Sequence, residues 1–185
     1  ASSTSRGLGD VYKRQKEVWS TFNLLSNEPS ECLGAYVISM TSSASDILSV
    51  SFLQKEAKIK NKLRVVPLFE TLDDLINAKS IMENLFSHKW YRNLIKHKQE
   101  VMIGYSDSSK DAGKMCASWH QYKAQEEIVK LGNKYKIDIT FFHGRGGSAG
   151  RGGGPIQATL RSLPPYSVNG KIRITDQGEV IQQKY

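Results

Sequence analysis

The sequence predicts an α/β fold built from parallel strand-helix units, either a doubly wound sheet or a β/α barrel. Four short runs rich in β-forming residues recur along the 185 residues, at Ala35–Met40, Arg64–Glu70, Val101–Asp107 and Ile139–Arg145. The runs are nearly continuously apolar, as expected for parallel strands buried on both faces. They end about 30 to 40 residues apart, which is the length of a strand, a helix and two loops.

The segments between these runs show helical patterns. Thr71 followed by Asp74 predicts a capping box at the start of the second helix, and Gly132 predicts the end of the third. Further along, the turn dipeptide Asn169-Gly170 precedes a predicted short strand at Lys171–Thr175. The predicted helices cover Ser45 to about Lys60, Leu72 to Phe86, and Ala112 to Leu131.

The composition is that of a soluble globular protein. Hydrophobic residues make up 39% of the chain and charged residues 24%, and no apolar run reaches the length of a membrane span. The first residues lack the apolar segment of a secretory signal. Two cysteines, Cys32 and Cys116, are too few for a disulfide framework. We therefore expect a cytoplasmic protein with reduced thiols and no membrane partner.

The net charge of +8 is compatible with nucleic acid, an anionic surface or an anionic substrate as partner. Most lysines are spread along the chain in a way typical of a solvated face; they include Lys55, Lys58, Lys60, Lys62, Lys96 and Lys98. Arg145 and Arg151 differ, because they lie inside a glycine run and could build a site.

Ionisable residues end three successive predicted strands. Glu70 ends the second strand, Asp107 the third, and His143 and Arg145 the fourth. Because the carboxyl ends of parallel strands share one edge, we expect these groups to meet there. Glu70 and Asp107 would then supply two carboxylates to Mg²⁺ or Mn²⁺, which prefer oxygen ligands. The neighbouring acids Asp73 and Asp74 are interpreted as helix caps.

Two loops could bind anions. In GYSDSSKDAGK, Lys110 offers a point charge, although the loop can equally be a cluster of N-cap residues with an exposed lysine. In FFHGRGGSAGRGGGP, Arg145 and Arg151 offer bidentate forks, and the backbone N–H groups of glycines such as Gly146 and Gly147 can approach phosphate or carboxylate. The run lacks the GKS or GKT of a P-loop. An RGG-type RNA-binding tract is the alternative, but the run directly follows an apolar strand.

These motifs together resemble phosphoenolpyruvate carboxylase. The resemblance runs from about Lys16 to Tyr185, and rests on ECLGAYVISM, VVPLFETLDDL, VMIGYSDSSKDAGK, SWHQYKAQE and FFHGRGGSAGRGGGP in this order. It implies about four strand-helix units of an eight-stranded, TIM-like barrel with helical surroundings, within a homotetramer. Residues 1–15 match nothing in the family and are expected to be non-native, while residues 16–185 are expected to belong to the catalytic barrel.

The resemblance also implies a function and residue roles. The family joins bicarbonate to phosphoenolpyruvate, giving oxaloacetate and phosphate, and is inhibited by acidic effectors such as aspartate or malate. It implies that Glu70 and Asp107 hold Mg²⁺ or Mn²⁺ and that Lys110 lies near bicarbonate. Lys110, His143, Arg145 and Arg151 are implied to be catalytic. Arg145 and Arg151, with Gly146 and Gly147, are implied to bind substrate.

Three hypotheses follow for the chain itself. It is an enzyme fragment that is active only within a longer polypeptide, an RGG-type RNA-binding module, or a non-catalytic remnant. The family's other catalytic histidine and further arginines lie in regions outside this sequence, which favours a fragment. The family motifs and the apolar strand before the glycine run argue against nucleic acid as partner.

Overall fold

Five parallel β-strands and the helices around them make up the described structure. The computed structural model describes residues 3–144, 156–175 and 181. The strands are β1 (Ala35–Ile38), β2 (Arg64–Phe69), β3 (Lys98–Gly104), β4 (Asp138–Gly144) and β5 (Arg173–Ile174). The helices are α1 (Ser3–Asn27), α2 (Ala44–Glu56), α3 (Leu72–Ser87), α4 (Lys89–Leu94), α5 (Asp107–Ala112), α6 (Lys114–Tyr135) and α7 (Ile156–Ser162).

The strands pair in strict chain order, β1-β2-β3-β4-β5, and every pair is parallel. A doubly wound sheet reverses its strand order at a switch point, whereas a β/α barrel adds each strand beside the last. The order therefore selects the barrel alternative, and the described part is a curled, half-barrel sheet. The closed eight-stranded barrel stays a prediction. The strand predicted at Lys171–Thr175 is present as the shorter β5.

The two faces of the sheet have different surroundings. On one face, Phe69, Val101, Ile103 and Phe141 are at most 1% exposed and share a hydrophobic core with residues of α3 and α6. Burying each such side chain stabilises the fold by about 1.5–3 kcal/mol. On the opposite, concave face, strand pairing aligns partly exposed side chains in one row; they are Leu68, Met102, Phe142 and Arg173.

The predicted capping box of α3 is confirmed. The Asp74 backbone N–H donates to Thr71 Oγ1 at 3.1 Å, and the Thr71 N–H donates to Asp74 Oδ2 at 3.1 Å. The prediction that Gly132 ends a helix is wrong, because α6 continues to Tyr135 and Lys136 takes the left-handed conformation instead. Gly132 is needed for packing: a Cβ there would lie 2.6 Å from Ile139 Cγ1.

Residues 3–15 are helical, although their sequence shows no apolar periodicity. They form the first half of α1, whose second half packs on the sheet: the Phe22 ring is 1% exposed and stacks on Tyr36 of β1 at 5.2 Å. No helix among the described residues has the length and apolar character needed to cross a bilayer. Cys32 and Cys116 are both free thiols, as the sequence predicts.

Candidate functional site

Glu70 lies directly after β2, at the carboxyl end of the sheet. Its backbone N–H donates to the capping Asp74 Oδ2 at 3.3 Å, which fixes the turn from strand into helix. Its carboxylate accepts a hydrogen bond from the backbone N–H of Met40, just beyond β1. Met40 has a φ of 52°, a left-handed conformation that turns the chain after the strand. The ends of β1 and β2 therefore cooperate in placing this carboxylate.

Asp107 begins α5 and does not end a strand, because β3 stops at Gly104. Asp107 nevertheless lies next to Glu70, as predicted, because the backbone N–H of the adjacent Ser108 donates to the Glu70 carbonyl at 2.8 Å. The two carboxyl groups contact each other. Burial, followed by repulsion from Asp107, raises the pKa of Glu70, and the hydrogen bond between the two side chains adds to this effect. The structure thus brings Glu70 and Asp107 together.

Lys110 reaches back over the first turn of α5 to Asp107. Its Nζ lies 2.6 Å from Asp107 Oδ1, and its side chain is 73% exposed. The sequence left two interpretations open, an anion-binding lysine and an exposed lysine. Lys110 is exposed and also pairs with an anionic side chain, so both descriptions apply. An exposed ion pair of this kind contributes at most about 1 kcal/mol, so Lys110 can leave Asp107 for another anion at little cost.

Gly104 allows the end of β3 to approach Glu70 closely. A Cβ at this position would lie 2.6 Å from Glu70 Cβ, a distance that real Cβ atoms essentially never show, and 3.0 Å from Glu70 Cα, which is also unusually tight. The absence of a side chain at the last residue of β3 is therefore a requirement of the site.

His143 does not join this pair. Its ring is fully buried and lies on the helix-facing side of the sheet, in line with Ile103 and beside Phe141. The Tyr105 hydroxyl hydrogen-bonds His143 Nδ1 at 2.8 Å, and this contact links the end of β4 to the loop that carries Asp107. Of the other predicted site residues, Arg145, Gly146, Gly147 and Arg151 lie outside the described residues.

A buried polar network behind the loop was not predicted from the sequence. Gln121 of α6 is 5% exposed, and its Nε2 donates to the Gly104 carbonyl at 3.2 Å and to Ser108 Oγ at 3.0 Å. Gln125 in turn donates to the Gln121 carbonyl at 2.9 Å. The sequence does contain a sign of this network. Two glutamines four residues apart interrupt the otherwise apolar stripe of α6, and buried amides require hydrogen-bond partners.

We expect Gln121→Leu to destabilise the fold and loosen the loop that carries Asp107. The substitution removes the donor of the Gly104 carbonyl and of the Ser108 hydroxyl, at a cost of about 1–3 kcal/mol. Urea unfolding of the chain at low protein concentration measures the loss. Gln15→Leu, on the exposed surface of α1, is the matched control and should leave the midpoint almost unchanged. A Gln121→Leu midpoint equal to that of the control would contradict the bracing role.

The donor set fits a small divalent cation. Mg²⁺ is usually held by one or two carboxylates, with waters and substrate oxygens in the remaining positions. Glu70 and Asp107 supply such a pair at the open end of the sheet. Within the described ranges, no third histidine, cysteine or carboxylate joins them, so the site does not resemble a closed structural metal cage.

In the absence of metal, Glu70→Gln should stabilise the chain at neutral pH. Because the pKa of Glu70 is raised in the folded state, folding favours the protonated form, and stability is lost as pH rises above the ordinary value of 4.5. Partial exposure limits the gain to less than about 1 kcal/mol. Urea unfolding in EDTA at pH 4 and pH 7 should show the gain at pH 7 only.

Glu83→Gln is the opposing control for this comparison. The hydrogen bond from Lys134 lowers the pKa of Glu83, so this carboxylate stabilises the fold once ionised and its removal should slightly destabilise the chain at pH 7. If both variants shift stability in the same direction, the burial and repulsion of the Glu70 carboxylate are not the cause of the change.

A sequentially ordered parallel sheet with two carboxylates beyond its strand ends is consistent with part of a β/α barrel, a class in which active sites lie at that end. A sequence model of the phosphoenolpyruvate carboxylase family matches residues 8–185. The chain therefore belongs to the phosphoenolpyruvate carboxylase family.

Individual relatives agree with this assignment. The chain is 57% identical over 169 residues to phosphoenolpyruvate carboxylase 3 of Arabidopsis thaliana and 55% identical over 170 residues to phosphoenolpyruvate carboxylase of Flaveria pringlei. It is 52% identical over 169 residues to the enzyme of Nicotiana tabacum. These matches cover 91–92% of this chain but 18% of each relative. The comparisons give no support to an RNA-binding module.

Proposed function

We propose that the chain forms part of the active site of an enzyme that carboxylates phosphoenolpyruvate with bicarbonate, giving oxaloacetate and phosphate. It spans 18% of the length of its relatives, so the reaction belongs to the longer polypeptide. The observation that carries the proposal is the contact between the Glu70 and Asp107 carboxyl groups at the carboxyl end of the sheet. Acidic effectors and a homotetramer remain expectations from the family.

The contact between two carboxylates has a chemical meaning. Holding like charges together costs free energy, and this repulsion adds to burial in raising the pKa of Glu70. A divalent cation held by Glu70 and Asp107 would offset this cost and would supply Lewis-acid stabilisation of negative charge on the enol oxygen. Glu70 and Asp107 would hold such a cation, while the Met40 N–H and the capping Asp74 keep Glu70 in place.

The proposed reaction proceeds in two steps, phosphoryl transfer and then carboxylation. An oxygen of bicarbonate attacks phosphorus, the bond from phosphorus to the enol oxygen breaks, and carboxyphosphate and the enolate of pyruvate form. Carboxyphosphate then releases CO₂ and phosphate, and the enolate carbon forms its new bond to CO₂. Lys110 would orient bicarbonate once it leaves Asp107, since its flexible, exposed ammonium group can move between two anions. Arg145 and Arg151 would neutralise phosphoryl oxygens.

A segment exchange tests the proposal. The corresponding segment of phosphoenolpyruvate carboxylase 3 of Arabidopsis thaliana is replaced by residues 16–185 of this chain, and oxaloacetate formation is followed with and without Mg²⁺. We expect the exchanged enzyme to retain Mg²⁺-dependent activity. A soluble, correctly assembled exchange protein without activity would contradict the proposal.

A further inference from the structure

A cavity lies at the opposite end of the sheet from the carboxylate pair. It has a volume of about 290 Å³ and lies between α2, α4 and the first residues of β2 and β3. Much of its surface is apolar and comes from residues such as Leu63, Val65, Leu94 and Ile95. Its size is close to the lower limit of small-molecule pockets, about 300 Å³.

The polar groups deep in this cavity are already satisfied. The Tyr91 hydroxyl donates to Gln99 Oε1 at 2.8 Å, and Gln99 Nε2 donates to the Val65 carbonyl at 3.0 Å. Gln54 exchanges two hydrogen bonds with the backbone of Leu63. Because these donors and acceptors are already paired within the protein, a ligand would contact the cavity wall mainly through apolar groups.

Positive charge surrounds the mouth. Lys62, Lys96 and Lys98 line the cavity and are exposed, and within the described part of the chain none of their ammonium groups has a carboxylate partner. The carboxylate that lines the cavity, Glu100, is already shared by Arg64 at 3.2 Å and Arg173 at 2.8 Å. The lysines therefore keep their charge available for a ligand.

We infer that this cavity binds a small organic anion, a phosphate or carboxylate group on an apolar body. The apolar wall accommodates the body, and the three lysines at the mouth attract the charge. The cavity is a pocket and not an extended stripe of cations, so it does not have the form of a nucleic-acid surface. This site is separate from the proposed active site and does not depend on the proposed reaction.

Site-resolved lysine labelling tests the inference in the exchanged full-length enzyme. Phenyl phosphate is the probe, inorganic phosphate tests charge alone, and phenol tests the ring alone. An amine-reactive reagent followed by peptide mass spectrometry reports each lysine separately, so that binding of the probe at the active site does not affect the result. Lys55, Lys58 and Lys60, exposed lysines outside the cavity, are internal controls.

We expect phenyl phosphate to slow labelling of Lys62, Lys96 and Lys98 about fivefold or more, with little change at the three control lysines. Inorganic phosphate should need an about tenfold higher concentration, since it gains nothing from the apolar wall. Equal protection of both lysine sets would overturn the inference, as would equal potency of the two phosphates. Cavity lysines that are unreactive without any probe would show that the polypeptide itself fills the cavity, which also overturns it.

Two matched variants provide an independent measurement. Lys96 and Lys58 are both exposed lysines with left-handed backbones, at φ 52° and 55°. Lys96→Gln should weaken the protection of Lys62 and Lys98 by phenyl phosphate about threefold or more, whereas Lys58→Gln should not, because the electrostatic effect is local. Identical behaviour of the two variants would attribute binding to bulk charge and refute a site.

Discussion

Asp107→Asn in the exchanged enzyme is expected to lower Mg²⁺-dependent oxaloacetate formation more than about hundredfold, equivalent to roughly 3 kcal/mol of transition-state stabilisation. The substitution keeps the shape of the side chain but removes one of the two charges that face each other at the strand ends. Loss of the ion pair with Lys110 adds little, because that pair is exposed. The rate and the Mg²⁺ concentration for half-maximal rate are measured together.

Asp73→Asn is the matched control for this experiment. Asp73 lies on the exposed surface of α3, one turn from the site, so its removal changes the same charge without touching the carboxylate pair. An enzyme with Asp107→Asn that keeps the rate and Mg²⁺ requirement of the Asp73→Asn enzyme would rule out Asp107 as a metal ligand. Glu70→Gln should reproduce the loss, since one carboxylate cannot replace two.

Gly104→Ala should reduce both stability and activity, although it adds a single methyl group. The new Cβ would overlap Glu70 Cβ and press on its backbone, which cannot move away freely because the Glu70 carbonyl is bonded to Ser108. Overpacking of this kind costs about 1–3 kcal/mol. Displacing a carboxylate by about 1 Å can lower the rate about hundredfold. Thermal unfolding and oxaloacetate formation of the exchanged enzyme measure the two effects.

Gly34→Ala is the corresponding control. Gly34 precedes β1, has no atom within 4 Å of an added Cβ and lacks a positive φ. Its substitution should leave both the melting temperature and the rate close to those of the parent. If Gly104→Ala behaves in the same way, the close approach of β3 to Glu70 is not needed for the site.

The sequence predicted the parts of the fold that depend on local pattern. Runs of β-branched and aromatic residues marked all four long strands, and the Thr71-Asp74 pair marked the start of α3. The predicted helix end at Gly132 and the predicted strand end at Asp107 were wrong, because tertiary packing determines where these elements end. Gly132 does not end a helix but packs closely against Ile139, and Asp107 begins a short helix after β3 has ended.

The site could be predicted in part for the same reason. Glu70 and Asp107 follow their strands, so parallel pairing was enough to bring them together. His143 was placed at the same edge, but side chains alternate along a strand and its position faces the helices. The Gln121 network and the grouping of Lys62, Lys96 and Lys98 around the cavity depend on how separate elements pack. Neither follows from the spacing of residues along the chain.

The simple order of the sheet has one further consequence. Within the described residues, β1 and β5 each pair with a single neighbour, which leaves an outer row of backbone amide and carbonyl groups on each. Such rows act as templates for other strands. A polypeptide that keeps this unit soluble must cover both rows, and the remaining length of the relatives provides the means to do so. Expressed separately, copies of the chain are expected to join side by side, with light scattering that rises steeply with concentration.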